Sequence, residues 1–180
     1  DGKFFAGSNE NHLIYVADPQ TGKVIYQPRS LTVPINALDI NCKSQLLAIG
    51  GGDGKVYLFD FYNLRFLGSY KANNNHILSV SINPEGKFLA FSDSYDTDKS
   101  FELNPSSLFV VDMQTGKTVN QFRTRNNAIT QLKFTPDGEN LVFNNFFNFI
   151  GNFLSPVDKY RKIEKGEAKT CLSLSPDGTK

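Results

Sequence analysis

Glu85-Gly86-Lys87-Phe88-Leu89-Ala90 decides how this sequence folds, because the chain writes it more than once. At a distance of 42 residues upstream stands Lys43-Ser44-Gln45-Leu46-Leu47-Ala48, and 42 residues before that Asp1-Gly2-Lys3-Phe4-Phe5-Ala6. Downstream, Asp137-Gly138-Glu139-Asn140-Leu141-Val142 follows at a step of 52, and Ser175-Pro176-Asp177-Gly178 repeats Thr135-Pro136-Asp137-Gly138 at a step of 40. A second motif keeps the same register. Leu13-Ile14-Tyr15-Val16-Ala17-Asp18 returns as Lys55-Val56-Tyr57-Leu58-Phe59-Asp60 and as Ser107-Leu108-Phe109-Val110-Val111-Asp112, again at steps of 42 and 52. The turn that follows it, Gln20-Thr21-Gly22-Lys23, returns as Gln114-Thr115-Gly116-Lys117. Two independent motifs with one spacing mark an internal repeat.

The repeating unit is made of strands. Leu38 and Ile40 flank Asp39, Val80 and Ile82 flank Ser81, Leu132 and Phe134 flank Lys133, and Leu172 and Leu174 flank Ser173. Period-two alternation, with Gly, Pro, Asn and Asp between short apolar runs, is a strand-and-turn pattern. Residues 34–41, 45–50, 55–60 and 65–70 are the expected strands of the second unit. Four short strands in about 40–45 residues make a propeller blade, whose faces are buried by its neighbours. The expected fold is therefore all-β: one β-propeller segment of about four four-stranded antiparallel blades. Its units lie near 1–30, 31–72, 73–125, 126–167 and, in part, 168–180. An arc of a larger propeller of about seven blades is the first reading. A closed four-bladed ring, with 170–175 completing the blade begun by 4–30, is the other. In the fourth unit, 144–154 lacks the Asp that ends the other third strands, and 159–164 is its candidate outer strand.

Ile77-Leu78-Ser79-Val80-Ser81-Ile82-Asn83-Pro84-Glu85-Gly86-Lys87-Phe88-Leu89-Ala90, followed by Leu108 to Asp112, resembles a WD repeat, and the Ser-Pro-Asp-Gly turn is similar to the WD-like repeats of bacterial propellers. The resemblance covers nearly the whole chain. The chain departs from the family at the Trp-Asp pair, which here is Ala17-Asp18, Phe59-Asp60 and Val111-Asp112. The Gly-His pair before the first strand is missing too; His76 stands near its place without a preceding glycine. Both departures bear on the hydrogen-bond network that the family builds from Asp, His, Ser/Thr and Trp. The resemblance implies a scaffold that holds other macromolecules.

Composition agrees with a globular domain and points to no particular field. Hydrophobic residues make up 39% and charged residues 21%, and the formal net charge is +1, so no global charge draws nucleic acid or a membrane surface. No apolar run is long enough to span a bilayer. Two cysteines, Cys42 and Cys171, are too few for a disulfide framework and are expected to stay unbonded to each other. An intracellular setting, cytoplasmic or nuclear, is the expectation.

Enzyme motifs are mostly missing from the chain. It has no Gly-x-Ser-x-Gly elbow, and His12 and His76 lack metalloprotease spacing. Gly50-Gly51-Gly52-Asp53-Gly54-Lys55 fails the phosphate-loop pattern at Ile49 and Val56 and is expected to be a tight turn. Asp93, Asp96, Asp98 and Glu102 crowd one loop without the spacing of a calcium loop, so a solvated acidic loop is expected. Asp18, Asp60 and Asp112 recur blade by blade and are expected to hold turns. No catalytic residue, metal site or cofactor is expected, nor a small-molecule substrate or a membrane.

The third unit carries 10 more residues than the second, between Ser92 and Ser107. In antiparallel blades this second-to-third-strand connection leaves at the same end as the links between blades. Insertions in repeats often mark a binding face. The candidate partner-binding set is Tyr95, Asp96, Asp98 and Phe101 from the insertion, with Arg29, Lys71, His76, Arg123 and Arg125 from the links. Tyr95 and Phe101 are expected to be more exposed than Tyr57 and Phe109. The leading expectation is a non-enzymatic scaffold for protein or peptide partners within a larger assembly. The alternatives are the propeller domain of a larger enzyme, of peptidase or dehydrogenase type, and an RNA-contacting propeller in a ribonucleoprotein assembly.

Overall fold

A computed structural model describes residues 4–9, 11–27, 31–63, 65–72, 75–94, 106–124, 128–144, 148–155 and 159–162. Within them the chain forms four antiparallel sheets, each from consecutive strands. The first holds β1 (Phe5–Ser8), β2 (Ile14–Ala17) and β3 (Val24–Tyr26). The second holds β4 (Ile35–Asn41), β5 (Leu46–Gly51), β6 (Lys55–Asp60) and β7 (Arg65–Lys71). The third is β8 (Ile77–Ile82), β9 (Phe88–Asp93), β10 (Ser107–Asp112) and β11 (Lys117–Arg123). The fourth is β12 (Gln131–Phe134), β13 (Asn140–Asn144), β14 (Asn148–Asn152) and β15 (Arg161–Lys162). The four expected strands of the second unit fall within a residue of those observed, and the outer strand of the fourth unit lies inside 159–164. The arrangement is all-β, with the antiparallel sheets of propeller blades: three have four strands, and the first has three among the described residues. Residues 170–175 and Leu172, Leu174 and Cys171 lie outside the described residues.

Alternation along the middle strands builds the core, because successive side chains point to opposite faces and each face meets another sheet. On β10, Leu108 and Val110 join the cluster shared with the fourth sheet. Phe109 and Val111, one residue out of phase, join the cluster shared with the second. On β5, Leu47 and Ile49 face the first sheet, where they meet Ile14, Val16 and Tyr26. Ala48 faces the third. Each buried aliphatic or aromatic side chain contributes on the order of 1.5–3 kcal/mol, so the stabilising unit is the junction between sheets rather than the sheet.

The innermost strands are tied by polar side chains as well. Val80, Ile82, Leu132 and Phe134 are buried as expected. Leu38 and Ile40 correct the expectation: both are half-buried. They face the first sheet, whose described strands include no counterpart of β4, β8 and β12, so less covers them. On the opposite face of β4, Asp39 is buried at 8% exposure. Its Oδ2 accepts the backbone N–H of Ile82 at 2.7 Å. One junction further on, Ser81 Oγ accepts the N–H of Phe134 at 3.2 Å and Ser79 Oγ that of Leu132 at 3.0 Å. Lys133 reaches across to Asp39 as an ion pair.

The outer strands share one irregularity. The pairing slips at the same place in three sheets, between Val16 and Ala17, Leu58 and Phe59, and Val110 and Val111. The residue left over on the outer strand is Ile25, Leu67 or Val119. A β-bulge of this kind turns the extra side chain off the ladder, and the three are 39%, 40% and 41% exposed.

Candidate partner-binding face

Register brings one set of strand ends together. In the third sheet, Ile77 at the start of β8 pairs with Asp93 at the end of β9. Ser107 at the start of β10 pairs with Arg123 at the end of β11. In the second sheet Lys55 pairs with Lys71. The insertion and the blade-to-blade links therefore attach to the same end of the strands, as antiparallel reversal requires. Lys71, His76 and Arg123 stand at this end and are exposed. Tyr95, Asp96, Asp98, Phe101, Glu102, Arg29 and Arg125 lie outside the described residues. Of the strand aromatics, Phe109 is buried at 7% exposure and Tyr57 is half-buried.

The backbone at this end follows the repeat. Gly52 N–H donates to Pro34 O at 2.8 Å, and Ser94 N–H to His76 O at 2.8 Å. Ala72 N–H donates to Gly54 O at 3.0 Å, and Thr124 N–H to Ser106 O at 2.9 Å. On this shared frame the side chains differ between the two sheets.

In the second sheet the tight turn expected within Gly50 to Lys55 is made by Gly52, Asp53 and Gly54, with Gly54 at φ 77°. Asp53 Oδ2 accepts the Tyr57 hydroxyl at 2.7 Å and stands 3.2 Å from Lys55 Nζ. Loss of water raises the Asp53 carboxyl, but the bonds from Tyr57 and Lys55 outweigh it, and the group titrates below the ordinary carboxylate range. Burial, reinforced by that carboxylate, pushes the Tyr57 hydroxyl up to about 12. Tyr57 thus remains a neutral donor at every physiological pH. The His76 ring packs beside Gly52, where an added Cβ would stand 3.2 Å from Nδ1.

In the third sheet the base of the insertion is clamped. Asp93 is 1% exposed and Ser106 0%. Asp93 Oδ1 accepts the N–H of Ser107 at 2.7 Å, and the Ser106 hydroxyl donates to the Asp93 carbonyl. Thr124 Oγ1 accepts the N–H of Ser106 at 2.8 Å and donates to its carbonyl at 3.2 Å. Asp93 is therefore a structural acceptor inside the sheet, which corrects its assignment to a solvated acidic loop: β9 runs one residue further than the acidic cluster suggested. The clamp was missed in the sequence. Its signal is there in the repeat alignment, where Gly51, Gly54 and Ala72 of the second unit become Asp93, Ser106 and Thr124 of the third.

At the opposite strand ends the recurrent aspartates behave as expected. Asp18 Oδ1 accepts Gln20 N–H at 2.8 Å and Thr21 N–H at 3.3 Å. Asp60 Oδ1 accepts Tyr62 at 3.1 Å and Asn63 at 2.8 Å, and Asp112 Oδ1 accepts Gln114 at 2.9 Å and Thr115 at 3.0 Å. These backbone bonds hold all three carboxyls below their ordinary range. In the fourth sheet Asn152 stands at the same register, opposite Asn140, and its Oδ1 accepts Leu154 N–H at 3.0 Å. It is the counterpart that the sequence reading did not find. Among the described residues no three His, Cys, Asp or Glu side chains are grouped to hold a metal ion.

Residues 25–60 match the family model described as WD domain, G-beta repeat. The match begins in the outer strand of the first sheet and ends at Asp60, so it straddles a junction. No curated protein matches the chain. WD repeats generally serve protein–protein interaction.

Proposed function

We propose that this WD-repeat chain is a non-enzymatic scaffold whose insertion-bearing face holds a protein or peptide partner within a larger intracellular assembly. The observation that carries the reading is the clamp of Asp93, Ser106 and Thr124. A connection of unusual length leaves the third sheet from a base of buried, mutually bonded polar groups, at the end where Lys71, His76 and Arg123 are exposed. A stable frame that projects a long segment is what binding requires, since function concentrates on loops carried by rigid elements. The segment's Tyr95 and Phe101 supply aromatic anchors, with Asp96 and Asp98 beside them. The links supply Arg29, Lys71, His76, Arg123 and Arg125, so a partner would meet both signs of charge around aromatic side chains, a composition typical of hot spots.

Affinity purification with the full-length protein tests this. The expected result is a set of partners retained by the wild type and lost with Tyr95→Ala/Phe101→Ala at unchanged fold. Retention of every partner by the double variant would place binding elsewhere. Retention of RNA that falls steeply with added salt, and with Lys71→Ala/Arg123→Ala, would favour phosphate contact instead.

A further inference from the structure

The outer strands fill the junctions between sheets by one rule, and the rule is broken once. At the bulge of each outer strand, the residue paired with the middle of the third strand is Tyr26, Gly68 or Asn120, opposite Val16, Leu58 and Val110. In the first junction Tyr26 is buried and packs on Phe59 of the next sheet, with ring centres 6.4 Å apart. In the third junction Asn120 Nδ2 donates to two carbonyls of the next sheet's turn, Phe153 O at 2.7 Å and Ser155 O at 2.8 Å. In the second junction Gly68 offers no side chain. A Cβ there would meet nothing within 4 Å, and φ of 151° keeps the position for glycine.

What remains is a groove of about 660 Å³ between the second and third sheets. Leu46, Leu67 and Tyr70 line one side of it, and Gly86, Lys87 and Met113 the other. Register makes Met113 the counterpart of Phe153 and Thr115 that of Ser155, because Asp112 and Asn152 hold equivalent places. The Met113 carbonyl takes the Tyr70 hydroxyl at 3.4 Å, longer than an ordinary O–H···O bond of about 2.5–3.0 Å.

We infer that the notch at Gly68 is a binding site for a carboxamide side chain, the asparagine or glutamine of a partner protein, which takes the place that Asn120 fills within the chain one junction further on. The amide nitrogen donates to the Met113 and Thr115 carbonyls. Lys87 lines the same groove and suits the amide oxygen. Leu46 and Leu67, which line the groove, receive the apolar neighbours of the incoming residue. The site lies toward the turn end of the sheets, away from the insertion, so it can succeed or fail independently of the face proposed above.

The test uses the whole chain, isotope-labelled, and the capped tripeptide acetyl-Val-Asn-Val-amide, which copies the order Val119-Asn120. Acetyl-Val-Ala-Val-amide is the control. The expected result is saturable movement of the Gly68, Met113 and Gln114 amide resonances, roughly tenfold weaker with the alanine peptide, the worth of two hydrogen bonds of ordinary net strength. Equal responses to the two peptides, or none, overturn the inference. Asn120→Gly opens the third junction by the same rule, so the asparagine peptide should then also move the resonances of Phe153, Leu154 and Ser155. A folded Asn120→Gly chain with no new response contradicts the rule; if that variant does not fold, the wild-type titration decides alone.

Discussion

Asp39 and Lys133 belong to innermost strands that are not neighbours, yet their side chains form an ion pair across the strand between them. Asp39 is 7% exposed in its side chain and Lys133 50%, so the pair has a dry end and a wet end. The dry end also holds the N–H of Ile82. Asp39→Ala leaves that N–H buried without its acceptor and should destabilise the fold by about 1–3 kcal/mol. Lys133→Met, which removes only the solvent-screened partner, should cost about 1 kcal/mol or less. Urea unfolding of both variants measures the difference, and equal costs would contradict the assignment of the stabilisation to the Ile82 bond.

Asp18, Asp60 and Asp112 should make stability fall in acid. Their folded carboxyls titrate below the ordinary value because the charged form accepts backbone N–H groups. Their stabilisation is therefore complete above the unfolded pKa of about 3.9 and is lost as pH falls through the lower folded values. The urea midpoint should be flat near neutral pH and drop in the acid range. An Asp18→Asn/Asp60→Asn/Asp112→Asn chain should show a shallower acid drop; an identical pH profile would remove these turns from the account.

Gly50 is held by contact rather than by conformation. A Cβ on it would stand 2.6 Å from Ile77 Cγ2 and 3.1 Å from Ala37 Cβ. Gly50→Ala should cost about 1–3 kcal/mol by overpacking the junction. Ile77→Ala removes Cγ2, so Gly50→Ala/Ile77→Ala should cost less than the sum of the two single variants. Thermal melts of the two single variants and of the double variant check this, and strictly additive costs would show that the clash is relieved elsewhere.

The clamp predicts a division between folding and binding. Asp93→Ala should lower stability by about 1–3 kcal/mol, because it strands the buried N–H of Ser107. Tyr95→Ala/Phe101→Ala should stay within about 0.5 kcal/mol of the wild type, as exposed substitutions usually do. Chemical denaturation of both settles the contrast; a double variant as unstable as Asp93→Ala would make the two rings core residues.

The repeat was legible because hydrogen bonds across a junction join residues one repeat apart. Asp39 reaches Ile82 at a separation of 43, and Ser81 reaches Phe134 at 53, each the local step plus one residue. Alternation on β4 was harder to read. It separates two faces but does not say which is better covered, and for an innermost strand the neighbours on both sides decide. Hence Asp39 is buried while Leu38 and Ile40 are half-covered. Asn152 escaped notice because a search for aspartate passes over an asparagine whose Oδ1 makes the same turn bond. The clamp escaped because Ser106 and Thr124 look like ordinary loop residues until they are set against Gly54 and Ala72. Of the candidate binding residues, sequence located Lys71, His76 and Arg123 correctly on one end, since antiparallel connectivity leaves no other choice.

The fastening of Asp93, Ser106, Ser107 and Thr124 also separates two kinds of change that the chain can undergo. The bonds among these four residues join the end of β9, the start of β10 and the residue after β11. A change to the connection between Asp93 and Ser106 that spares these four residues leaves their mutual bonds available. A peptide grafted between the same two anchors should therefore keep these bonds.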